Sequence, residues 1–363
     1  MLGVEAPILQ SGMGGVAGPE LVAAVSNAGG LGILAALNLK PDAVREGIAR
    51  VRQLTNRPFG VNIWLHDNVR TPVDPGSLDD DLVRGMQAVL NDFRPRFELA
   101  PRLDRPPSPP DLVDAAIEVM LEERVPVFSA GLGIPEPELT ERFHRAGSTV
   151  ITMVTSVGDA LTAAADGTDV VVVQGSEAGG HRSVGQKRSA EAALGSGLFT
   201  LLPEAIDRLA GAVPVVAAGG IVDGRGLAAV LALGAQGALL GTRFVATRES
   251  QAAEVWKQRL LSDHGETVLS DGFTGQWARM LRTEFTDRWA ESGATALPGL
   301  LQAAAGFDLF SAAKANGDDQ LQPLYAGTGW TLIDDLPGAA EVVGRIMAEA
   351  LAAANSARLE VGG

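Results

Sequence analysis

Cysteine is absent from the 363 residues of this chain. Disulfide bonds, thiolate metal sites, iron–sulfur clusters and a cysteine nucleophile are therefore all excluded. Histidine is scarce, with four residues, and neither the histidines nor the carboxylates show the spacing of metal ligands. We therefore expect no bound metal.

Long apolar runs and clusters of basic residues are also missing. No segment stays apolar for about 18 residues, the length that a membrane-spanning helix needs. The first six residues contain no basic region ahead of an apolar run, so we expect a cytoplasmic protein without a secretion signal. Lys and Arg number 29 against 44 Asp and Glu, a formal charge of -15. This balance argues against a nucleic-acid surface and favours a small-molecule partner, with assembly into a homo-oligomer left open.

What the chain does contain is a regular alternation of short apolar runs with helix-like segments. Most neighbouring runs are separated by the length of one strand–helix unit. The pattern predicts an α/β fold, a (β/α)8 TIM barrel with insertions after strand 3 and after strand 8; an open doubly wound sheet is the alternative. The eight runs cover residues 7–10, 31–35, 59–64, 125–129, 149–154, 170–174, 213–217 and 237–240.

Two long gaps in this repeat predict the domain organisation. We expect residues 1–248 to form the barrel core, with an insertion at about 67–123 that includes a proline-rich surface stretch. Residues 249–324 break the repeat and are expected to form an inserted cap or subdomain. Residues 325–363 would return to the barrel and end in a helix.

The stretch after the sixth run is the most informative in the chain. It reads Gln-Gly-Ser-Glu-Ala-Gly-Gly-His over residues 174–181, so His181 lies beside two glycines at the end of a buried strand. Loops at this end of barrel strands hold ligands, glycines let the backbone approach a flat or phosphorylated ligand, and imidazole exchanges protons near neutral pH. A histidine in an arbitrary loop is more often a surface residue, but this position favours an active-site loop. The histidines expected at the surface are His66, His144 and His264.

Two further loops predict a phosphate site. Gly219 and Gly220 follow the seventh run, and Gly241 and Thr242 follow the eighth. Backbone N–H groups in these two loops bind phosphate in many barrels. Each glycine alone could equally serve a tight turn or close packing. Together they favour a phosphorylated ligand such as a flavin, with a phosphosugar or a nucleotide as the alternative.

These motifs together resemble the nitronate monooxygenase family, formerly called 2-nitropropane dioxygenases, a group of FMN-dependent (β/α)8 barrels. The similarity covers most of the chain. It is carried by residues 7–16, 19–21, 24–32, 59–62, 174–181, 218–221 and 241–244. The combination is highly specific for the flavin barrel.

The resemblance implies an FMN-dependent oxidoreductase that acts on a small-molecule substrate with O2. Gly12 and Met13 would lie along the isoalloxazine ring, and Asn62 and Gln174 would hydrogen-bond its polar edge. His181 matches the family's catalytic base toward nitroalkanes. The ribityl phosphate would be held by Gly179, Gly180, Gly219, Gly220, Gly241 and Thr242.

The reaction implied by the resemblance is oxidation of alkyl nitronates or nitroalkanes with O2 to a carbonyl compound and nitrite. The alternative is an FMN-dependent NAD(P)H reductase of the enoyl-acyl-carrier-protein or quinone type, since the same fold serves both; a non-catalytic flavin-binding protein is a third candidate. The chain departs from the family at Ser11 and Gly12, where Ala-Pro is usual, and at residues 130–132, where aromatic residues are usual. Both departures lie where substrate and flavin would meet.

Two other residues near these motifs have open roles. Glu177 is expected to tie down loop backbone rather than to act as an acid. Tyr325, which precedes a glycine-rich stretch at residues 326–330, either borders the active site or packs in the core.

Overall fold

Eight parallel strands form a closed barrel, and a three-stranded antiparallel sheet lies beside it. The computed structural model describes residues 2–183, 193–262 and 265–356. The barrel strands are β1 (Ile8–Gln10), β2 (Leu31–Ala35), β3 (Phe59–Trp64), β4 (Val127–Gly131), β5 (Thr149–Val154), β6 (Val170–Gln174), β8 (Val215–Ala218) and β9 (Gly237–Leu240). They follow one another in chain order, and β1 pairs with β9 to close the barrel. The predicted (β/α)8 barrel is confirmed.

Three barrel strands begin later than their apolar runs predicted, and each begins directly after a proline. Pro7, Pro126 and Pro214 have no N–H to donate to a strand ladder. Their carbonyls still accept hydrogen bonds of 2.9 to 3.0 Å, donated by Ala238, Thr149 and Val171. Each proline therefore takes part in the ladder only through its carbonyl, and regular strand pairing starts at the next residue.

Strand β6 is apolar on both faces because it lies between two buried layers. Val170 and Val172 point into the barrel, where they pack with residues of six other strands. Val171 and Val173 belong to the larger cluster between the barrel and its helices. Burial on both faces explains why this strand reads as an unbroken run of valine.

Helices surround the barrel and also occupy both insertions. Helices α1, α2 and α6 each have proline in the first turn, where a missing N–H costs nothing. No helix in the described ranges is both long and apolar enough to cross a membrane. The helices are α1 (Pro19–Asn27), α2 (Pro41–Leu54), α3 (Asp67–Arg70), α4 (Asp80–Phe93), α5 (Val113–Glu122), α6 (Pro137–Ala146), α7 (Val157–Ala165), α8 (Leu198–Leu209), α9 (Gly224–Ala232), α10 (Thr242–Val245), α11 (Glu254–Leu260), α12 (Glu284–Ser292), α13 (Leu301–Ala305), α14 (Phe307–Ala315) and α15 (Ala339–Ser356).

The two insertions share one hydrophobic core. Met86, Leu90 and Phe93 of α4 pack with residues of the second insertion, among them Phe285 and Leu309. The second insertion also contributes two strands to the antiparallel sheet, which has the order β10 (Thr267–Ser270), β11 (Ala278–Leu281), β7 (Gly180–His181). Strand β7 comes from the stretch after β6, so this sheet attaches the second insertion to the mouth of the barrel.

Arg94 links the two insertions through its guanidinium group. The residue is 0% exposed, and it donates two hydrogen bonds to the carboxylate of Asp308, at 3.2 and 3.3 Å. Its remaining N–H groups donate to the side chains of Gln87 and Asn91 and to the carbonyl of Ala305. A buried charge of this kind is tolerated because every donor has an acceptor.

We expect Arg94→Ala to lower the free energy of unfolding by about 3–5 kcal/mol, because Asp308 and three other acceptors lose their donor and a cavity opens. Urea unfolding monitored by tryptophan fluorescence measures this change. Arg84→Ala, which removes an exposed ion pair with Asp81 on α4, is the matched control and should cost less than about 1 kcal/mol. Equal effects of the two substitutions would contradict the role assigned to Arg94.

Candidate active site

A cavity of about 370 Å³ opens at the carboxyl ends of the barrel strands. Its walls come from the carboxyl ends of most barrel strands and the segments that follow them, from the second insertion and from residues 325–330. All the residues assigned to the site from the sequence line this cavity, and the fold thus brings them together. They are Gly12, Met13, Asn62, Gln174, Gly179, Gly180, His181, Gly219, Gly220, Gly241 and Thr242.

The two amide side chains at the base of the cavity are bound to the protein in different ways. Asn62 donates its Nδ2 hydrogens to the carbonyl and the hydroxyl of Ser129, both at 3.0 Å, and its Oδ1 accepts from no described residue. Gln174 donates from Nε2 to the carbonyl of His181 and accepts at Oε1 from the N–H of Ser183, each at 3.0 Å. Gln174 therefore anchors the segment that carries His181, a function the sequence did not predict.

The loops after β8 and β9 present backbone donors to the cavity. Gly219 and Gly220 have φ angles of 115° and 69°, a left-handed conformation that glycine adopts at no steric cost. The N–H groups of Gly219, Gly220, Gly241 and Thr242 donate to no other described residue. Thr242 Oγ1 accepts from the N–H of Gly327 at 3.0 Å, which leaves the hydroxyl hydrogen available. Such a group of unpaired donors can bind phosphate oxygens.

The N-terminus of α9, the helix that follows the β8 loop, is already occupied. The Asp223 side chain accepts from the N–H groups of Arg225 and Gly226, and Glu349 accepts from Gly224 at 2.9 Å. The first N–H groups of this helix are therefore unavailable to a phosphate. The donors available to a ligand are those of the loops.

The segment 326–330 covers part of the cavity, and its backbone explains why residue 179 is glycine. A Cβ at Gly179 would overlap the backbone of Ala326 and Gly327, whereas a Cβ at Gly180 would meet no atom within 4 Å. The N–H of Thr328 donates to the carbonyl of Glu177 at 2.9 Å. Gly179 is thus needed for close chain packing, and Gly180 is the glycine with free space beside it.

His181 lies in a strand rather than in the loop predicted for it. Strand β7 pairs with β11, with His181 opposite Ala278, because the second insertion supplies a partner strand that the local sequence does not reveal. The imidazole contacts Trp64 edge-on at 4.4 Å between ring centroids and Tyr325 at 5.0 Å. Its Nε2 lies 2.9 Å from Thr274 Oγ1.

Burial lowers the pKa of the His181 imidazole to about 3. The ring is thus neutral at physiological pH, with one nitrogen able to accept a proton. Burial likewise raises the pKa of the Tyr325 hydroxyl, which stays protonated. The titratable groups at this wall of the cavity are therefore uncharged.

Two buried arginines hold the backbone that leads from β6 to β7. Arg182 donates to the carbonyls of Gln174, Gly175, Ala193 and Leu194. Arg279 of β11 donates twice to the carbonyl of Ser176. Burial, together with the nearby charge of Arg279, lowers the pKa of Arg182 to about 10, so both guanidinium groups remain charged at neutral pH.

Glu177 ties down backbone, as predicted. Both carboxylate oxygens accept from the N–H of Leu198 at 3.0 Å, at the first turn of α8. A carboxylate is favourable there because the first N–H groups of a helix lack partners within it. This bond joins the loop after β6 to the next helix of the barrel.

Two other histidines, His66 and His144, lie away from the cavity. His144 is exposed on α6, as predicted, with Nε2 2.9 Å from Asp169. His66 differs from the surface position expected: it is half-buried, burial lowers its pKa, and its Nδ1 accepts from the N–H of Asn68 at the start of α3. His264 lies outside the described residues. Within those residues, no group of three histidines or carboxylates could hold a metal.

The nitronate monooxygenase family profile matches residues 1–349. The chain belongs to the nitronate monooxygenase family. Probable nitronate monooxygenases from Staphylococcus saprophyticus and Staphylococcus aureus are 36% and 32% identical to it over 293 and 328 residues. These alignments cover 80% and 90% of this chain, and 79% and 89% of the relatives.

Solved structures with the same architecture agree with this assignment. Nitroalkane oxidase from Streptomyces ansochromogenes superposes with a TM-score of 0.88 at 35% identity, covering 98% of this chain and 99% of that one. FabK from Thermotoga maritima gives a TM-score of 0.73 at 31% identity, covering 98% and 95%. As a member of the nitronate monooxygenase family, the protein is an oxidoreductase, which confirms the prediction from sequence.

Trp64, Trp256, Thr274 and Tyr325 are among the cavity-lining residues that the sequence missed or left open. Trp64 ends β3, and Trp256 and Thr274 come from the second insertion, where no repeat guided the prediction. Tyr325, whose position was open, lines the cavity beside His181. The one usable signal was the Gly-Thr-Gly run after Tyr325, which resembles the other glycine pairs at strand ends.

The low pKa of His181 predicts a pH dependence of stability. Below about pH 6.5 the unfolded chain binds a proton at this imidazole that the folded protein does not bind until about pH 3. The ligand-free protein should therefore lose stability as the pH falls through this window, by about 2 kcal/mol from this group at pH 5.

His181→Asn removes that titration. We expect the free energy of unfolding of the wild type, measured relative to the variant, to be smaller at pH 5 than at pH 7.5. Urea titrations of both proteins at the two pH values measure the difference. A difference that does not change with pH would contradict the assigned pKa.

Proposed function

We propose that the protein is an FMN-dependent nitronate monooxygenase that oxidises alkyl nitronates or nitroalkanes with O2 to a carbonyl compound and nitrite. The observation that carries this proposal is the neutral imidazole of His181 in a cavity that also presents unpaired backbone donors. Membership of the nitronate monooxygenase family and the similarity to nitroalkane oxidase support it.

The residues of the cavity fit FMN. Phosphate needs several donors, and the loops after β8 and β9 offer them. The isoalloxazine ring needs a flat apolar surface with hydrogen-bonding groups at one edge. Gly12 and Met13 would supply the surface, and Asn62, with its free Oδ1, and Gln174 would supply the edge. The phosphate would be held by Gly179, Gly180, Gly219, Gly220, Gly241 and Thr242.

Bound FMN would supply the redox chemistry, taking electrons from the substrate and passing them to O2. The protein itself must remove a proton when the substrate is a nitroalkane. In that step the α C–H bond breaks, its electron pair stays on the substrate as the nitronate, and the proton moves to a ring nitrogen of His181. The negative charge formed on the nitronate favours the protonated ring and offsets the cost of charging a buried group.

A nitronate substrate has already lost this proton. His181 would then orient the substrate, with its ring held between Trp64 and Tyr325. These aromatic side chains also exclude water from the reacting end of the cavity.

The second candidate is an FMN-dependent NAD(P)H reductase of the enoyl-acyl-carrier-protein or quinone type. Similarity to FabK at 31% identity is consistent with it. Both candidates use the same cofactor, so the electron donor distinguishes them.

Purified protein reconstituted with FMN should lose its flavin absorbance within seconds of anaerobic mixing with an alkyl nitronate. Rapid loss with NADH or NADPH, and none with the nitronate, would overturn the leading proposal.

We expect His181→Asn to bind FMN while nitroalkane turnover falls by about 10²–10⁴, the usual contribution of a general base. Nitronate turnover should change much less, since no proton is removed. Steady-state oxygen consumption with a nitroalkane and with its nitronate measures both. His144→Asn, the same substitution on the surface of α6, should leave both activities unchanged. Equal losses on the two substrates in His181→Asn would refute the role of base.

A further inference from the structure

We propose that Thr274 is a positioning residue for His181, whose hydroxyl holds Nε2 of the imidazole in both its neutral and its protonated state. This inference rests on the proposed function, because it concerns the base for nitroalkane deprotonation. Thr274 lines the cavity but belongs to the second insertion, about 90 residues beyond His181 in the chain.

The aromatic contacts of His181 do not determine which ring nitrogen faces the substrate. Trp64 and Tyr325 pack against the imidazole, and such contacts restrict the plane of the ring but do not distinguish one nitrogen from the other. Among the described residues, Thr274 is the one hydrogen-bond partner of the ring nitrogens, at 2.9 Å from Nε2. In the part of the chain that the structure describes, no carboxylate bonds the ring to fix the tautomer, as one does in many catalytic histidines.

The surroundings of the Thr274 hydroxyl allow it to serve either protonation state. Its oxygen lies 3.3 Å from the carbonyl of Gln276, to which it can donate, and 3.4 Å from the N–H of Gln276, from which it can accept. With its hydrogen directed at that carbonyl, Thr274 Oγ1 accepts from an Nε2–H group. Rotated toward the ring, it donates to an unprotonated Nε2.

In the tautomer that acts as base, Nε2 carries hydrogen and donates to Thr274 Oγ1, which leaves Nδ1 free to accept the proton. When the α-proton of the substrate reaches the imidazole, both ring nitrogens carry hydrogen, and the half-buried cation needs an acceptor for each. Thr274 supplies one of them without moving its backbone. When the proton leaves for solvent, the same hydroxyl stabilises the neutral ring.

Thr274 is held in place by the loop around it. The N–H of Gly275 donates to the carbonyl of Asp271 at 2.8 Å, and the Asp271 carboxylate accepts from Trp289 Nε1 at 2.9 Å. Gln302 donates to the carbonyl of Gly272 at 2.7 Å. A loop fixed to helices α12 and α13 in this way keeps the hydroxyl at a constant distance from the ring.

The test compares Thr274→Val, which keeps the shape but removes the hydroxyl, with Thr274→Ser, which keeps the hydroxyl. In FMN-loaded protein we expect Thr274→Val to lower kcat for a nitroalkane by about 10- to 100-fold, the size of effect seen when an orienting partner of a catalytic group is lost. KM, FMN affinity and kcat for the matching nitronate should stay near wild type. Thr274→Ser should restore kcat for the nitroalkane. Thr162→Val, which removes an exposed hydroxyl from α7, is the control.

A second readout reports on the proton transfer directly. Deuteration of the α-carbon should slow Thr274→Val more than wild type, because a misplaced base makes proton transfer limit the rate. If Thr274→Val does not fold or bind FMN, Thr274→Ala replaces it in both measurements.

Two outcomes would overturn the inference. Equal losses on nitroalkane and nitronate without rescue by serine would mean a structural role, and wild-type activity of Thr274→Val would mean no role. In either case a selective loss in His181→Asn would leave the proposed function intact. Failure of His181→Asn to discriminate between the substrates would instead overturn the proposed function itself.

Discussion

This cavity depends on the hydrogen bonds that the guanidinium group of Arg182 donates to backbone carbonyls. After β6 the chain leaves the barrel ladder, and the carbonyls of Gln174 and Gly175 turn inward without strand partners. Buried carbonyls must be satisfied, and a cation with five N–H donors in a planar fork can reach several at once. Arg182 is 1% exposed, and the nearby charge of Glu177 partly offsets its own.

The barrel, and the place of His181 at the cavity, could be predicted because both follow from local patterns. Strands buried on two faces are continuously apolar, as β6 is, and glycine pairs beside a histidine at a strand end are visible in the sequence. The predicted starts of three strands were wrong by one or two residues. Each apolar run begins at or before a proline, whereas regular strand pairing begins at the residue after it. Apolar composition indicates which residues are buried, whereas strand pairing also requires backbone N–H groups, which proline lacks.

The environment of His181 could not be predicted for a different reason. Thr274 and Arg279 reach it through pairing of β11 with β7, a contact between segments almost 100 residues apart that no periodicity indicates. Gly179 shows a related limit. The sequence shows that residue 179 is a glycine. Only the structure shows that the space beside it is filled by the backbone of Gly327 and not by a ligand.

The antiparallel sheet at the mouth of the barrel sets the order in which the site can assemble. The eight barrel strands are complete by residue 240, but His181 gains its strand partner only with β11 and its second aromatic neighbour, after Trp64, only with Tyr325. Domains emerge from the ribosome amino end first. A nascent chain can therefore close its barrel while the mouth remains open to solvent, and a ligand bound at that stage would be released easily. Enclosure of a ligand in this cavity thus requires synthesis of nearly the entire polypeptide.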